Sequence, residues 1–144
     1  LFRSGVPDQF TYELTFLAAI ESTDSSSFTR VAGRRVTADA TRYPSSVTGL
    51  TKTMYFEGTV EVSNPATSVE IKLVTAGGTD VTDSLFSSVS VIPESFSLLV
   101  PYGTSSGEIR TDYAFDYEVH GRLIGGSPGD VAIISAAQLV IRYS

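Results

Sequence analysis

The residues of this chain that could perform acid–base chemistry lie within one short stretch. Asp116, Glu118 and His120 are spaced two residues apart, which places side chains on one face of a β-strand. Such a trio could supply a general base or metal ligands. However, His120 is the one histidine of the chain and cysteine is absent, whereas a metal site needs roughly three or four converging ligands. An exposed polar strand face is favoured, so the sequence predicts no catalytic residue and no enzyme.

Carboxylates elsewhere could supply oxygen ligands for calcium, which prefers about six to eight of them. The candidates are Asp80, Asp83, Asp112, Asp116, Glu118 and Asp130. Their spacing matches no EF-hand loop, and aspartates in turns usually accept hydrogen bonds from nearby backbone N–H groups. The sequence therefore predicts no metal and no cofactor.

Three tyrosines could provide a stacking surface for a sugar. Tyr43 and Tyr102 adjoin prolines in predicted loops, and Tyr55 points away from the apolar face of its strand. Tryptophan, which has the largest stacking face, is absent. Tyrosine is also enriched at subunit interfaces, and that interpretation is preferred over sugar binding.

Arginines are concentrated in one segment of an otherwise acidic protein. Four of the ten basic residues are Arg30, Arg34, Arg35 and Arg42. Arginine forms paired hydrogen bonds with carboxylates, so this segment could dock onto an acidic neighbour, such as a second copy of the chain. The alternative is a solvated loop, and the two interpretations are evenly weighted.

Alternation of apolar and polar residues predicts the elements that position these side chains. The predicted strands are 10–20, 28–31, 35–40, 47–63, 68–75, 85–92, 96–100, 108–124 and 131–143. In the last of them, Val131, Ile133 and the odd-numbered apolar residues from Ala137 onward are expected to face inward. Gly58 is expected to mark a bulge or a close backbone approach. The prediction is an all-β fold: two antiparallel sheets of about eight or nine strands packed as a sandwich.

Composition narrows the class of protein. A chain of 144 residues suits a single domain, here 1–144 with an irregular lead-in over 1–9. The formal net charge of −6 argues against binding to nucleic acid. No apolar run approaches the roughly 18 residues of a membrane span. Without cysteine, redox chemistry does not identify the compartment.

Several stretches resemble the jelly-roll modules of carbohydrate-binding domains and of virion or phage surface proteins. They are residues 55–62, 69–74, 116–123 and 136–143. The resemblance implies a jelly-roll sandwich whose last strand pairs near the start of the fold. It also raises the prospect of a structural calcium ion, which such modules often carry.

The leading functional prediction is a non-enzymatic structural or surface-assembly protein, such as a virion decoration, fibre or extracellular appendage subunit. It implies a homo-oligomer or assembly on a larger protein surface, and a virion or extracellular location. The alternative is a carbohydrate-binding module with a glycan partner. A third interpretation, a hydrolase, would require a pocket that contains His120.

Overall fold

The computed structural model describes residues 9–31 and 33–144, and within these ranges the chain forms β-strands and no helix. The strands are β1 (Phe10–Thr15), β2 (Glu21–Thr23), β3 (Thr29–Arg30), β4 (Ser46–Val47), β5 (Leu50–Val62), β6 (Ser68–Thr75), β7 (Phe86–Ser88), β8 (Glu94–Val100), β9 (Tyr102–Gly103), β10 (Ile109–Arg110), β11 (Tyr117–Ile124) and β12 (Ala132–Tyr143).

Two antiparallel sheets contain the main strands. The first has the order β1-β12-β5-β8, with β2 also paired to β12 and β4 to β5. The second has the order β3-β11-β6-β7. This order, in which the chain passes back and forth between the sheets and the last strand lies beside the first, is that of a jelly roll. The predicted jelly-roll sandwich is therefore confirmed, with a small parallel pair, β9–β10, added to it.

The core lies between the sheets because each long strand buries alternate side chains. On β5 the buried residues include Met54, Phe56 and Val60, each fully inaccessible to solvent. Aromatic contacts join the sheets: Phe96 of β8 packs 5.1 Å from Phe56 and stacks 4.5 Å from Phe86 of β7. Burial of such rings contributes much of the stabilisation of a small core.

A bulge in β12 interrupts the alternation. The register of β12 against β5 shifts between Ile134 and Ala136. Opposite the bulge lies Gly58, where a Cβ atom would come within 2.5 Å of the Ala136 carbonyl oxygen. The expectation of a close backbone approach at Gly58 is confirmed. The extra residue turns Ala132 and Ile134 inward, both fully buried, so the predicted inward position of Ile133 is wrong.

Several predicted strands are broken or shortened in the structure: the predicted strand over 47–63 is interrupted at Thr48 and Gly49, and that over 85–92 is reduced to β7. Residues 10–20 form β1 and then a corner, after which β2 rejoins β12 beyond the bulge. Residues 108–124 form β10, a loop over 111–116, and β11. The predicted strand over 35–40 is reduced to a single bridge between Val36 and Tyr117. The residues between these strands have the polarity pattern of an extended chain but lie outside the ladders of the two sheets.

The predicted lead-in over 1–9 lies outside the described residues except for Gln9. Across the described part of the chain, no helix is long and apolar enough to cross a membrane.

Candidate functional site

Three loops converge at one end of the sandwich. Thr75, the last residue of β6, pairs with Tyr117, the first residue of β11, so the loop after β6 and the loop before β11 lie side by side. The Ala76 N–H donates to the Asp116 carbonyl at 2.9 Å. The third loop joins through the Thr82 N–H, which donates to the Gly107 carbonyl at 2.7 Å.

A shallow pocket of about 190 Å³ opens between these loops. Its walls carry hydroxyl, carboxylate, guanidinium and aromatic groups, contributed by Thr75, Gly77, Thr79, Ser106, Gly107, Glu108, Arg110 and Phe115. The volume lies below the roughly 300–1,000 Å³ of enclosed ligand pockets. It therefore suits contact with one unit of a polar ligand rather than enclosure of a whole molecule.

The Phe115 ring stands at the rim of this pocket, and the Tyr113 ring lies next to it. Tyr113 and Phe115 have exposed fractions of 55% and 39%, and their ring centres are 5.4 Å apart at an interplanar angle of 40°. The Arg110 guanidinium lies 4.8 Å from the Tyr113 ring centre and 5.6 Å from that of Phe115. This cation–π contact holds both rings while they remain accessible to solvent.

Arg110 is fixed by hydrogen bonds on two sides. Its Nε and Nη2 donate to the two carboxylate oxygens of Asp112 at 2.8 and 2.7 Å. Its backbone N–H donates to the hydroxyl of the buried Tyr117 at 2.7 Å. The side-chain hydrogen bonds raise the pKa of Arg110 and lower that of Asp112. Asp112 is therefore a poor proton donor at neutral pH.

Local turns explain why the rim residues leave the sheet. Glu108 Oε1 accepts a hydrogen bond from the Ser105 N–H at 2.8 Å, which closes the turn before β10. Gly107 has a φ of +87°, a conformation that glycine adopts without strain. After β10, the Arg110–Tyr117 hydrogen bond draws both ends of the 111–116 loop together, so Tyr113 and Phe115 project from it.

The structure does not bring the three predicted tyrosines together. Tyr43 is half-buried with its ring 5.4 Å from that of Tyr12. Tyr55 lies on the outer face of its sheet with the Arg142 guanidinium 4.8 Å from its ring centre. Tyr102 is half-buried, and its hydroxyl donates to the Lys52 carbonyl at 3.1 Å. Lys52 Nζ donates to the Tyr43 carbonyl at 2.6 Å and lies 4.3 Å from the Tyr102 ring centre, so these two tyrosines lie near each other while Tyr55 lies apart. The roles of all three stay predictions.

A larger pocket of about 310 Å³ adjoins Tyr102. It is lined by Thr53, Met54, Asp83, Leu99, Val100, Pro101 and Tyr102. The Tyr102 hydroxyl is already bonded to the Lys52 carbonyl, and the Thr53 hydroxyl donates to the Arg142 carbonyl at 3.5 Å, which leaves the Asp83 side chain to orient a polar ligand. This pocket is therefore less suited to a sugar than the one beside Phe115.

The predicted arginine segment is partly tied within the chain. Arg35 Nε donates to Glu118 Oε2 at 2.8 Å, and Arg30 Nε lies 3.7 Å from the same oxygen. Arg42 lies 4.0 Å from Asp39, and Arg34 is exposed. A partner's carboxylate would have to compete with Glu118 for Arg30 and Arg35. The interface role of the four arginines stays a prediction.

His120 pairs with one of its two predicted neighbours. Its Nε2 lies 2.9 Å from Glu118 Oε1, whereas Asp116 is exposed in the loop before β11. Because Glu118 also accepts from Arg35, it has little capacity to act as a base. Among the described residues, no group of three or more metal-ligating side chains converges.

Sequence reasoning missed Arg110, Tyr113 and Phe115 as site residues because it placed them in a strand. A signal was present: the acidic residues Asp112 and Asp116 flank the segment that contains Tyr113 and Phe115. Acidic residues on both sides of an aromatic pair are more typical of an exposed loop than of a core strand.

Comparisons with known proteins find similar solved structures, while no family model and no curated protein matches. The CBM36-1 domain of a multidomain xylanase, from the hindgut metagenome of Trinervitermes trinervoides, is 11% identical with a TM-score of 0.41 over 92% of this chain and 96% of that one. A carbohydrate-binding module CBM36, in complex with calcium and xylotriose, is 14% identical with a TM-score of 0.40 over 92% and 99%. These values are too low to transfer a site, so any ligand has to be argued from this chain's own residues.

Proposed function

We propose that this chain is a carbohydrate-binding module whose binding site is the loop end beside Phe115. The observation that supports the proposal is the exposed pair Tyr113 and Phe115, of which Phe115 lines a pocket that also contains hydrogen-bonding groups. The C–H groups of a sugar ring pack against the negative face of an aromatic ring. The hydroxyls around the sugar need donors and acceptors beside that face.

Each part of the pocket has a role in this proposal. The Phe115 ring provides the stacking surface, and Tyr113 extends it toward a second sugar unit. The Glu108 carboxylate accepts hydrogen bonds from sugar hydroxyls, and the hydroxyls of Thr79 and Ser106 both accept and donate them. Arg110 keeps both rings in place. The Gly107 backbone lines the pocket, and a Cβ there would meet the Thr82 hydroxyl at 2.6 Å, so glycine allows these two loops to pack closely.

An enzymatic role is less favoured at this site. Glycoside hydrolysis uses a proton-donating carboxylic acid together with a second carboxylate. Here the pKa of Asp112 is lowered by its hydrogen bonds to Arg110, so Asp112 is not a proton donor, and Glu108 is the one carboxylate among the residues that line the pocket. The proposal is therefore of binding without catalysis.

The test is retention on polysaccharides. Purified chain is run through native gels that contain xylan, mixed-linkage β-glucan, mannan, pectin or chitosan, and its mobility is compared with that in a gel without polymer. At least one polymer is expected to retard the protein. Phe115→Ala is expected to weaken that retardation by about tenfold in dissociation constant, the equivalent of about 1.4 kcal/mol.

The matched control is Tyr55→Ala, which removes an aromatic ring from the outer face of the first sheet. It is expected to bind as the unaltered chain does. Binding that survives in Phe115→Ala and is lost in Tyr55→Ala would move the site to the sheet face. Binding to none of a broad panel of polysaccharides would refute the proposed function.

The surface-assembly subunit is the second candidate, and one observation favours it: within residues 9–31 and 33–144, β8 pairs with β5 alone and forms an edge of its sheet. Virion and extracellular locations both suit an assembly subunit, and an extracellular location suits a polysaccharide-binding module.

A further inference from the structure

Strand β8 is an edge strand that pairs only with β5 among the described residues. Thr51 of β5 and Ser144 exchange both backbone hydrogen bonds, at 2.9 and 3.1 Å. Thr51 and every second β5 residue after it therefore turn their backbone groups toward β12, and the intervening residues turn toward β8. Hence Phe96 and Leu98 bond to β5, while Ser95, Ser97 and Leu99 direct their N–H and C=O groups outward.

Between residues 95 and 100, this edge lacks the usual protection against pairing. Natural edge strands are guarded by lysines, bulges, prolines or inward-pointing charges. From residue 95 to residue 100 the strand reads Ser-Phe-Ser-Leu-Leu-Val, with no charge and no proline, and its register with β5 is unbroken. Leu99 projects from the outer face with 60% of its surface exposed.

The edge is also complementary to itself. When two copies of β8 are placed antiparallel with Ser97 opposite Ser97, Ser95 lies opposite Leu99. In this register, Ser95, Ser97 and Leu99 of one copy lie opposite Leu99, Ser97 and Ser95 of the other. The backbone groups of each opposed pair point toward each other, so each pair exchanges two hydrogen bonds. No other antiparallel register centred within β8 places all three of these residues opposite one another.

Charge and strand length agree with the same register. The one charged residue of β8, Glu94, would lie opposite Val100 of the other copy, so no like charges meet. Pro93 and Pro101 would lie opposite each other just beyond the two ends, where the ladder has to stop because proline has no N–H group.

We propose that two copies of this chain associate through β8, antiparallel and centred on Ser97, to form a two-fold symmetric dimer with one continuous sheet. Closed two-fold dimers are the commonest protein assemblies, and strand addition satisfies an open sheet edge. The predicted homo-oligomer thus acquires a specific interface, at a different place from the arginine segment.

The dimer is tested by light scattering after size exclusion across a range of protein concentrations. The unaltered chain is expected to show twice the monomer mass at high concentration. Ser97→Pro removes an N–H group that the fold does not use but the dimer does. Leu99→Lys adds a charge to the interface. Each is expected to raise the dimer dissociation constant by about tenfold or more.

Two control variants separate the interface from general surface effects. Ile92→Lys adds the same charge at a residue that is 69% exposed but lies before β8, and it is expected to leave the dimer intact. Arg34→Glu tests the arginine segment. Dimer loss in Arg34→Glu with retention in both β8 variants would overturn the proposal, as would a monomer at every concentration. If Ser97→Pro fails to fold, Leu99→Lys decides.

Hydrogen exchange gives a direct readout at the proposed contacts. The Ser97 and Leu99 amides point away from β5, so they should exchange rapidly in the monomer and slowly in the dimer. Protection that grows with protein concentration at these amides supports the proposal. Concentration-independent exchange there, in a protein that dimerises, would place the interface elsewhere.

Discussion

The ammonium group of Lys52 lies 4.3 Å from the centre of the Tyr102 ring, while the Tyr102 hydroxyl donates to the Lys52 carbonyl oxygen at 3.1 Å. The Tyr102 side chain therefore contacts both the ammonium group and the backbone carbonyl of Lys52. Lys52 is 1% exposed, and its Nζ donates to the Tyr43 carbonyl at 2.6 Å. Burial lowers the pKa of Lys52, and the charge of Asp39 partly opposes this.

We expect Lys52 to make the free energy of unfolding rise with pH in a range just below the ordinary pKa of lysine. Between its lowered folded pKa and about 10.4, the unfolded chain binds a proton that the folded chain has released. The free energy of unfolding therefore increases with pH over that window. Lys52→Met lacks this increase, so the unaltered chain should gain stability relative to the variant as pH rises toward 10. Urea unfolding at several pH values measures it.

The control for this experiment is Lys72→Met, which removes the chain's other lysine from an ion pair with Asp80. This variant controls for the general effect of removing a lysine charge. Burial raises the pKa of Tyr117 and Tyr143, which lowers stability above pH 10 in all three proteins and cancels in their differences. Parallel curves for Lys52→Met and the unaltered chain would contradict the prediction.

Glu118 should stabilise the fold at neutral pH and lose that effect in acid. Burial raises its pKa, but hydrogen bonds from His120 and Arg35 and the charges of Arg30 and Arg35 outweigh it, so the pKa is lowered. Stability from such a carboxylate is present above the ordinary pKa and is lost as pH falls through the lowered one. Glu118→Gln is expected to reduce the free energy of unfolding by about 1–3 kcal/mol at pH 7.

The difference between Glu118→Gln and the unaltered chain should shrink as pH falls below about 4. Glu57→Gln is the matched control, since Glu57 accepts one hydrogen bond from Ser97 on an exposed face. Its effect should be small at every pH. A Glu118→Gln deficit that stays constant down to pH 2 would show that the carboxylate charge is not the stabilising feature.

Gly58→Ala should destabilise the sandwich. The added Cβ would meet the Ala136 carbonyl oxygen at 2.5 Å and the Phe96 ring at 2.9 Å, so either β12 or the aromatic core has to shift. Overpacking of this kind costs about 1–3 kcal/mol. Thermal unfolding compares it with Gly33→Ala, where a Cβ would meet nothing within 4 Å. Equal melting temperatures for the two variants would contradict the close approach at the bulge.

The alternating pattern predicted strands well where buried and solvent-facing residues alternate without interruption. The strand over 68–75 has the predicted bounds, and from Ala137 to Tyr143 the inward residues are those expected. Prediction failed at the β12 bulge because Ile133 and Ile134 are equally apolar. Which of them faces the core depends on one extra residue that the sequence does not mark.

The candidate site was harder to predict than the fold. Tyr113 and Phe115 alternate with other residues as strand residues do, and their exposure depends on the Arg110–Tyr117 hydrogen bond between the ends of the loop. Lys52 has the parity of Met54 along β5, so its burial could have been inferred from the alternation. The sequence does not show which residues of neighbouring strands and of the facing sheet contact these side chains.

The pairing of β1 with β12, from Phe10 opposite Tyr143 to Thr15 opposite Gln138, joins the two most distant parts of the described chain. Strand β12 also provides the partner for β2 and for most of β5. During synthesis, β1, β2 and β5 therefore lack this partner until β12 has also been made. Such non-local pairing makes folding slow, in the range of about milliseconds to seconds, and leaves the nascent sheet dependent on its last strand for closure.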